Sequence, residues 1–195
     1  WDEGPQVEGP FGPYFQTQRL ELYRKYIEKL LQDGKAYACF CSAEELARKR
    51  KEAEGRKEAP RYDQTCRSLS IDESEKKIKE GARYVVRFVC PSAGLTTVDD
   101  MIRGDVVFKN EVLDDFVVLK SDGFPTYNFA CVIDDHLMEI THVIRGDDHL
   151  SNTPRQILLY QALGWKLPQF AHIPMIMGKD RARLSKRHGA TSVID

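Results

Sequence analysis

The chain holds 195 residues, 42% apolar and 30% charged, a balance that suits a soluble globular protein with a buried core and excludes wholesale disorder. Its 29 Lys and Arg face 30 Asp and Glu, a formal net charge of -1, so no global basic field marks a nucleic-acid binder and any RNA contact must come from a local patch. No apolar run reaches the roughly 18 residues that span a bilayer, the acidic opening Trp1-Asp2-Glu3-Gly4-Pro5 is unlike a secretory signal, and an odd count of five cysteines points to a reducing, cytoplasmic compartment.

Gly4-Pro5, Gly9-Pro10 and Gly12-Pro13 make a turn-rich lead-in. A first residue other than Met leads us to expect that the chain begins inside a longer protein. From Gln18 to Asp33 the positions Leu20, Tyr23, Ile27, Leu30 and Leu31 recur at helical spacing, with Gly34 as the stop. Ala36 to Phe40 reads as a strand. Ser42 with Glu45 forms a capping box that opens a charged helix to about Glu54, and Ser70 with Glu73 opens another ending near Gly81. Gly55 to Arg67 is a basic loop. Strands are expected at Arg83 to Val89, Val106 to Lys109 and Asp115 to Lys120, with a turn at Ser121-Asp122-Gly123.

Beyond Gly123 the pattern predicts a helix from Pro125, a strand at Ile140 to Ile144, a helix from Ser151 to Leu163 closed by Gly164, and a strand at Ala171 to Met177. Strand, helix, strand in that order implies a right-handed crossover in a parallel sheet. Gly178 to Gly189 is a polar loop rich in Lys and Arg. No repeat or low-complexity segment occurs, and the absence of G-x-x-x-x-G-K-[ST] excludes a P-loop hydrolase.

The chemistry concentrates late in the chain. Arg183-Leu184-Ser185-Lys186-Arg187-His188-Gly189 combines planar guanidinium donors, a mobile ammonium and a hydroxyl, a set suited to polyphosphate. By charge alone, a solvated loop explains it as well. But Ile144-Arg145-Gly146-Asp147-Asp148-His149 ends another predicted strand, and ligands of open α/β sheets bind beyond the carboxyl ends of strands. Two polar clusters are thus expected to converge. Arg145 would clamp a carboxylate and Asp148 a ribose or amine, with Tyr127 of Pro125-Thr126-Tyr127-Asn128-Phe129-Ala130-Cys131 offering a hydroxyl.

These stretches resemble the catalytic domain of glutamyl-tRNA synthetases. The resemblance rests on Ser121-Asp122-Gly123-Phe124-Pro125-Thr126-Tyr127, on His142-Val143-Ile144-Arg145-Gly146-Asp147-Asp148-His149, and on Leu184-Ser185-Lys186-Arg187-His188-Gly189. The last is similar to the K-M-S-K-S signature of class I synthetases. Asp2-Glu3-Gly4-Pro5, Gly12-Pro13-Tyr14 and Gln18-Arg19 extend the likeness to the start of the chain.

The resemblance implies an α/β, Rossmann-like catalytic domain split by an α+β insert that binds the tRNA acceptor stem. Residues 1–19 would lead in from the first Rossmann half, 20–122 would be the insert, and 123–195 the second half. It implies a glutamate–tRNA ligase that joins L-glutamate to tRNA(Glu) through glutamyl-adenylate, using ATP with Mg2+, as a cytoplasmic monomer with no membrane partner. Tyr127, Asn128, Cys131 and Arg145 fall on the glutamate pocket. Asp148, Ile176, Arg183, Leu184, Ser185, Lys186 and Arg187 fall on the ATP site. Ser185, Lys186 and Arg187 are the expected catalytic positions, with Lys186 neutralising charge on the α-phosphate. Arg183 replaces the family's first signature lysine. The H-I-G-H-type motif is expected upstream of Trp1 and the anticodon-binding domain after Asp195, so this stretch alone is expected to be inactive. Two alternatives are a glutamyl-queuosine tRNA(Asp) synthetase and a non-catalytic zinc-bearing RNA-binding module.

Cys39, Cys41 and Cys66, with Tyr62 as the fourth donor, form a candidate tetrahedral zinc site; small core thiols are the plainer reading. Some bacterial members of the resembled family carry zinc at this place in the insert, where it would be structural. Cys90 and Cys131 are expected to be buried thiols. His136, His142 and His172 are expected to be packed rather than catalytic, and Asp134-Asp135 a helix-end cap or solvated turn. The basic runs at Arg48-Lys49-Arg50-Lys51 and Arg56-Lys57 are either a solvated face or contacts to the acceptor stem.

Overall fold

The computed structural model describes residues 2–59 and 61–175. Helix α1, Leu20–Gln32, buries Tyr23, Ile27 and Leu30 on one stripe. It ends where Gly34 turns left-handed (φ +64°) and the Gly34 and Lys35 N–H groups bond back to Leu31 and Leu30 carbonyls at 3.1 and 2.8 Å, satisfying the orphan acceptors of the last turn. Helices α2 (Ala43–Gly55) and α3 (Ile71–Lys79) start on the two expected capping boxes, with both reciprocal bonds formed at Ser42/Glu45 and Ser70/Glu73.

Strands β1 (Ala36–Cys39), β2 (Val85–Phe88) and β5 (Val117–Leu119) form an antiparallel three-stranded sheet. A second sheet runs in the order β4-β3-β7-β6. Here β6 (His142–Gly146) and β7 (Gln169–Ile173) are parallel, with α5 (Thr153–Leu163) between them in sequence, as the strand–helix–strand pattern predicts. Strand β7 starts two residues earlier than expected.

Strand β3 (Leu95–Asp100) was not expected. It forms an antiparallel hairpin with β4 (Gly104–Lys109) and runs parallel to β7, pairing Asp100 with Phe170. Its pattern is two-sided, with Thr96, Val98 and Asp100 buried and Leu95, Thr97 and Asp99 exposed. Only one of its three buried residues is apolar, so hydrophobic alternation gives no signal.

Helix α4 (Tyr127–Leu137) packs on α1 and α5. One apolar core joins Tyr23, Ile27 and Leu30 of α1, Val86 and Phe88 of β2, Phe129 and Ile133 of α4, and Leu158 and Leu159 of α5. Residues 20–122 and 123–175 therefore share a core, and the 95–109 hairpin lies in the same sheet as β6 and β7. At one edge of the core the buried guanidinium of Arg19 donates from Nε to Asp134 Oδ1 at 2.7 Å, and the Tyr23 hydroxyl donates to the same carboxylate at 2.8 Å. Asp134 is thus a partly buried anchor for a buried arginine, not the cap or solvated turn expected from its place in the sequence.

Candidate active site

The end of β6 and the start of α4 and α5 bring the polar residues together. Arg145 donates from Nε to His172 Nε2 at 3.1 Å, and from Nη2 to Thr153 Oγ1 and Gln156 Oε1 at 2.7 and 2.8 Å. Gln156 in turn donates to Asn128 Oδ1 at 3.2 Å. Two elements, α5 and β7, therefore hold one guanidinium, and each of the three neighbours supplies an acceptor that an arginine requires. Tyr127 stands half-exposed beside it, with its hydroxyl 3.3 Å from His149 Nδ1.

The electrostatics give the same picture of proximity. Burial pushes the Cys131 thiol up to about 11, with the Asp135 carboxylate adding to it while Tyr127 and Arg145 oppose. Burial, then repulsion from Asp134, lifts Asp135 to about 6, and the Arg145 charge pulls the other way. Burial raises Tyr127, with Cys131 adding to the rise and Arg145 opposing it. Tyr127, Asn128, Cys131 and Arg145, all expected in one pocket, are together. Asp148 lies exposed just past β6; a Cβ at Gly146 would lie 2.6 Å from its Oδ1. Ile176, Arg183, Leu184, Ser185, Lys186 and Arg187 lie outside the described residues.

Sequence reasoning did not find Asp100, Thr153 or Gln156. Thr153 and Gln156 did leave a signal: polar residues three apart on a helix whose other buried positions are mostly apolar. Asp100 left none. His172 is packed, as expected, but in a polar network rather than an apolar one. His136 stacks on Trp165 at 3.7 Å between centroids, and burial lowers its basicity.

The second cluster sits under β1. The Cys39, Cys41 and Cys66 sulfurs all lie within 4.8 Å of one another. The Tyr62 hydroxyl is 3.2 Å from Cys39 Sγ and 3.6 Å from Cys41 Sγ. The Phe40 N–H points at Cys66 Sγ from 3.4 Å, and the Arg87 guanidinium lies 3.9 Å over the Tyr62 ring. Burial would raise the Cys39 thiol, but hydrogen bonds from Tyr62 and Arg87 outweigh it and hold it below its ordinary value. Cys41 is pushed up to about 11 by burial and by its sulfur neighbours. Three converging thiols with one oxygen offer the donor set of a four-coordinate divalent metal, whose charge would displace the thiol protons.

On α2 the basic side chains are solvated. Arg48 pairs with Glu52 at 2.6 Å, both exposed, and Lys49 pairs with Asp63 at 2.6 Å.

The arginine-centred polar cluster lies at the carboxyl ends of parallel strands β6 and β7, where open α/β sheets bind their ligands. The model of the catalytic domain of class I tRNA synthetases (E and Q) matches residues 2–195, and the chain belongs to that family. It is 57% identical to "Glutamate--tRNA ligase 2" of Caldicellulosiruptor saccharolyticus, over 99% of this chain and 40% of that protein. It is also 57% identical to the glutamate–tRNA ligase of Moorella thermoacetica, over 99% of this chain and 39% of that one. Among solved structures, a glutamate tRNA ligase from Elizabethkingia meningosepticum in complex with its amino acid superimposes with a TM-score of 0.88. That match has 41% identity and covers 95% of this chain and 39% of the other. The chain thus spans about two fifths of the length of the curated relatives it matches.

Proposed function

We propose that the protein containing this chain ligates L-glutamate to tRNA(Glu) at the expense of ATP, through glutamyl-adenylate. The observation that carries this reading is similarity above 50% identity, along the whole chain, to several glutamate–tRNA ligases. The geometry is compatible in detail. Arg145 is a cation held in place by His172, Thr153 and Gln156, and a planar guanidinium is the natural partner of a carboxylate. In this reading Arg145, Tyr127, Asn128 and Cys131 hold glutamate, and Asp148 and Ile176 hold ATP. Arg183, Leu184, Ser185, Lys186 and Arg187 form the phosphate loop. Lys186 stabilises charge that develops on the α-phosphate, an electrostatic role without covalent chemistry. Mg2+ accompanying ATP would supply further phosphate neutralisation.

Residues 20–122 serve as the acceptor-stem-binding insert, and the protein works as a cytoplasmic monomer. The basic face of α2 is its candidate for phosphate contact. Among the described residues no helix is long and apolar enough to cross a membrane.

The test is glutamate charging by the full-length gene product, with Lys186→Ala alongside. The parent charges tRNA(Glu) and the variant loses most of the rate. Charging of tRNA(Asp) alone would replace this reading with the glutamyl-queuosine enzyme. Binding of tRNA without charging would replace it with an RNA-binding module.

Zinc at Cys39, Cys41, Tyr62 and Cys66 would be structural, tying β1 to the loop before α3. Elemental analysis of the full-length protein, purified without chelator, is expected to give about one zinc per chain. Cys66→Ser is expected to lose it, together with thermal stability. A metal-free parent with unchanged stability in chelator would leave the cluster as packed thiols.

A further inference from the structure

The side chains behind Arg145 form a chain with a defined direction. The Asp100 carboxylate is fully buried, as is the imidazole of His172. Asp100 Oδ1 accepts the backbone N–H groups of Ile102 and Arg103, both at 3.0 Å. Its Oδ2 accepts the His172 backbone N–H at 3.0 Å and faces His172 Nδ1 at 2.5 Å. His172 Nε2 faces Arg145 Nε at 3.1 Å.

An arginine Nε–H only donates, so His172 Nε2 must accept. The single ring proton then lies on Nδ1, where the carboxylate takes it. A second proton would set N–H against N–H at Arg145. The hydrogen bonds to His172, Ile102 and Arg103 outweigh burial and hold Asp100 down to about 2, so it stays an acceptor throughout the working pH range.

We propose that Asp100 and His172 are positioning residues for the substrate carboxylate. Asp100 fixes the proton of His172 on Nδ1, and the bare Nε2 of His172, with Thr153 and Gln156, fixes the plane of the Arg145 guanidinium. The bonds to Nε and Nη2 orient the fork, and Nη1 takes part in none of them. This rests on the reading of Arg145 as a glutamate ligand. The carboxylate comes from the 95–109 hairpin rather than from the strands that carry the site. The hairpin is tied there a second time by the ion pair between Arg103 and Asp147.

The informative variant is Asp100→Asn. The Ile102 and Arg103 N–H groups require the amide oxygen, which also lies 3.3 Å from the His172 backbone N–H, so the amide nitrogen turns to the His172 ring. The ring can meet it only by moving its proton to Nε2, against Arg145. In the full-length enzyme this variant is expected to raise the KM for glutamate about tenfold or more, with the KM for ATP changed less than about twofold. His172→Gln, which keeps an acceptor opposite Arg145, is expected to retain more glutamate affinity than His172→Leu.

Nitrogen-15 spectra of histidine-labelled enzyme give the second readout. The His172 signal, assigned by its loss in His172→Gln, is expected to report the Nδ1–H tautomer in the parent and Nε2–H in Asp100→Asn. A parent ring with Nε2–H or two protons overturns the proposal, even if Asp100→Asn does not fold. So does an Asp100→Asn enzyme with an unchanged glutamate KM. Arg145→Lys separates the two claims. If it leaves the glutamate KM unchanged, the pocket assignment fails whatever the tautomer; if it raises the KM while Asp100→Asn does not, only the positioning role fails.

Discussion

Replacing Asp134 with alanine is expected to lower stability by about 3–5 kcal/mol. Its carboxylate receives the Arg19 Nε–H at 2.7 Å and the Tyr23 hydroxyl at 2.8 Å. Arg19 is 1% exposed, and its Nη1 reaches the Pro13 carbonyl at 2.8 Å and that of Phe11 at 3.3 Å. Truncation leaves that guanidinium buried with carbonyl dipoles but no counter-charge, and leaves the phenol without its acceptor. The cost of an uncompensated buried charge exceeds what the pair itself contributes, which is why removal of one partner is the severe change. Asp134→Asn keeps one acceptor oxygen and is expected to lose less than half as much. Urea denaturation of parent and variants measures the difference. A loss under 1 kcal/mol for Asp134→Ala would mean that water enters and solvates Arg19.

Arg145→Ala is expected to reduce kcat/KM for glutamate by roughly 100- to 1000-fold, the range for truncating one member of a buried, hydrogen-bonded charge pair. Two losses combine. The substrate carboxylate forfeits its cation, and the Thr153, Gln156 and His172 acceptors that surround the guanidinium face a void. Arg145→Lys restores charge but not the planar fork, so it recovers only part of the affinity. Steady-state charging with glutamate varied at saturating ATP and tRNA measures both variants. An alanine variant within threefold of the parent would remove Arg145 from the pocket.

What the sequence made legible was local. The stop at Gly34 and the capping boxes at Ser42 and Ser70 are written within five residues, and each forms as read. The β6–α5–β7 crossover follows from apolar runs separated by a helix. The arginine cluster was legible because Arg145 and Tyr127 stand in recognisable stretches. What stayed hidden depends on partners far along the chain. Arg19 and Asp134 are 115 residues apart, and Asp100 and His172 are 72 apart. No period or propensity marks a carboxylate as buried when its partners are a distant imidazole and its own turn's backbone. Strand β3 was missed because two of its three inward residues are polar.

That inward face has a consequence for inheritance. Residues in β3 alternate strictly between the two sides of the sheet, so gaining or losing one residue exchanges the sides. Such a change would carry Val98 out of its core and swing Asp100 to the surface, leaving His172 Nδ1 without its carboxylate. The hairpin from 95 to 109 is thus a measured length, in which outward-facing residues can drift but insertions and deletions cannot. Changes in chain length have to be taken up in segments that no side chain uses as a ruler.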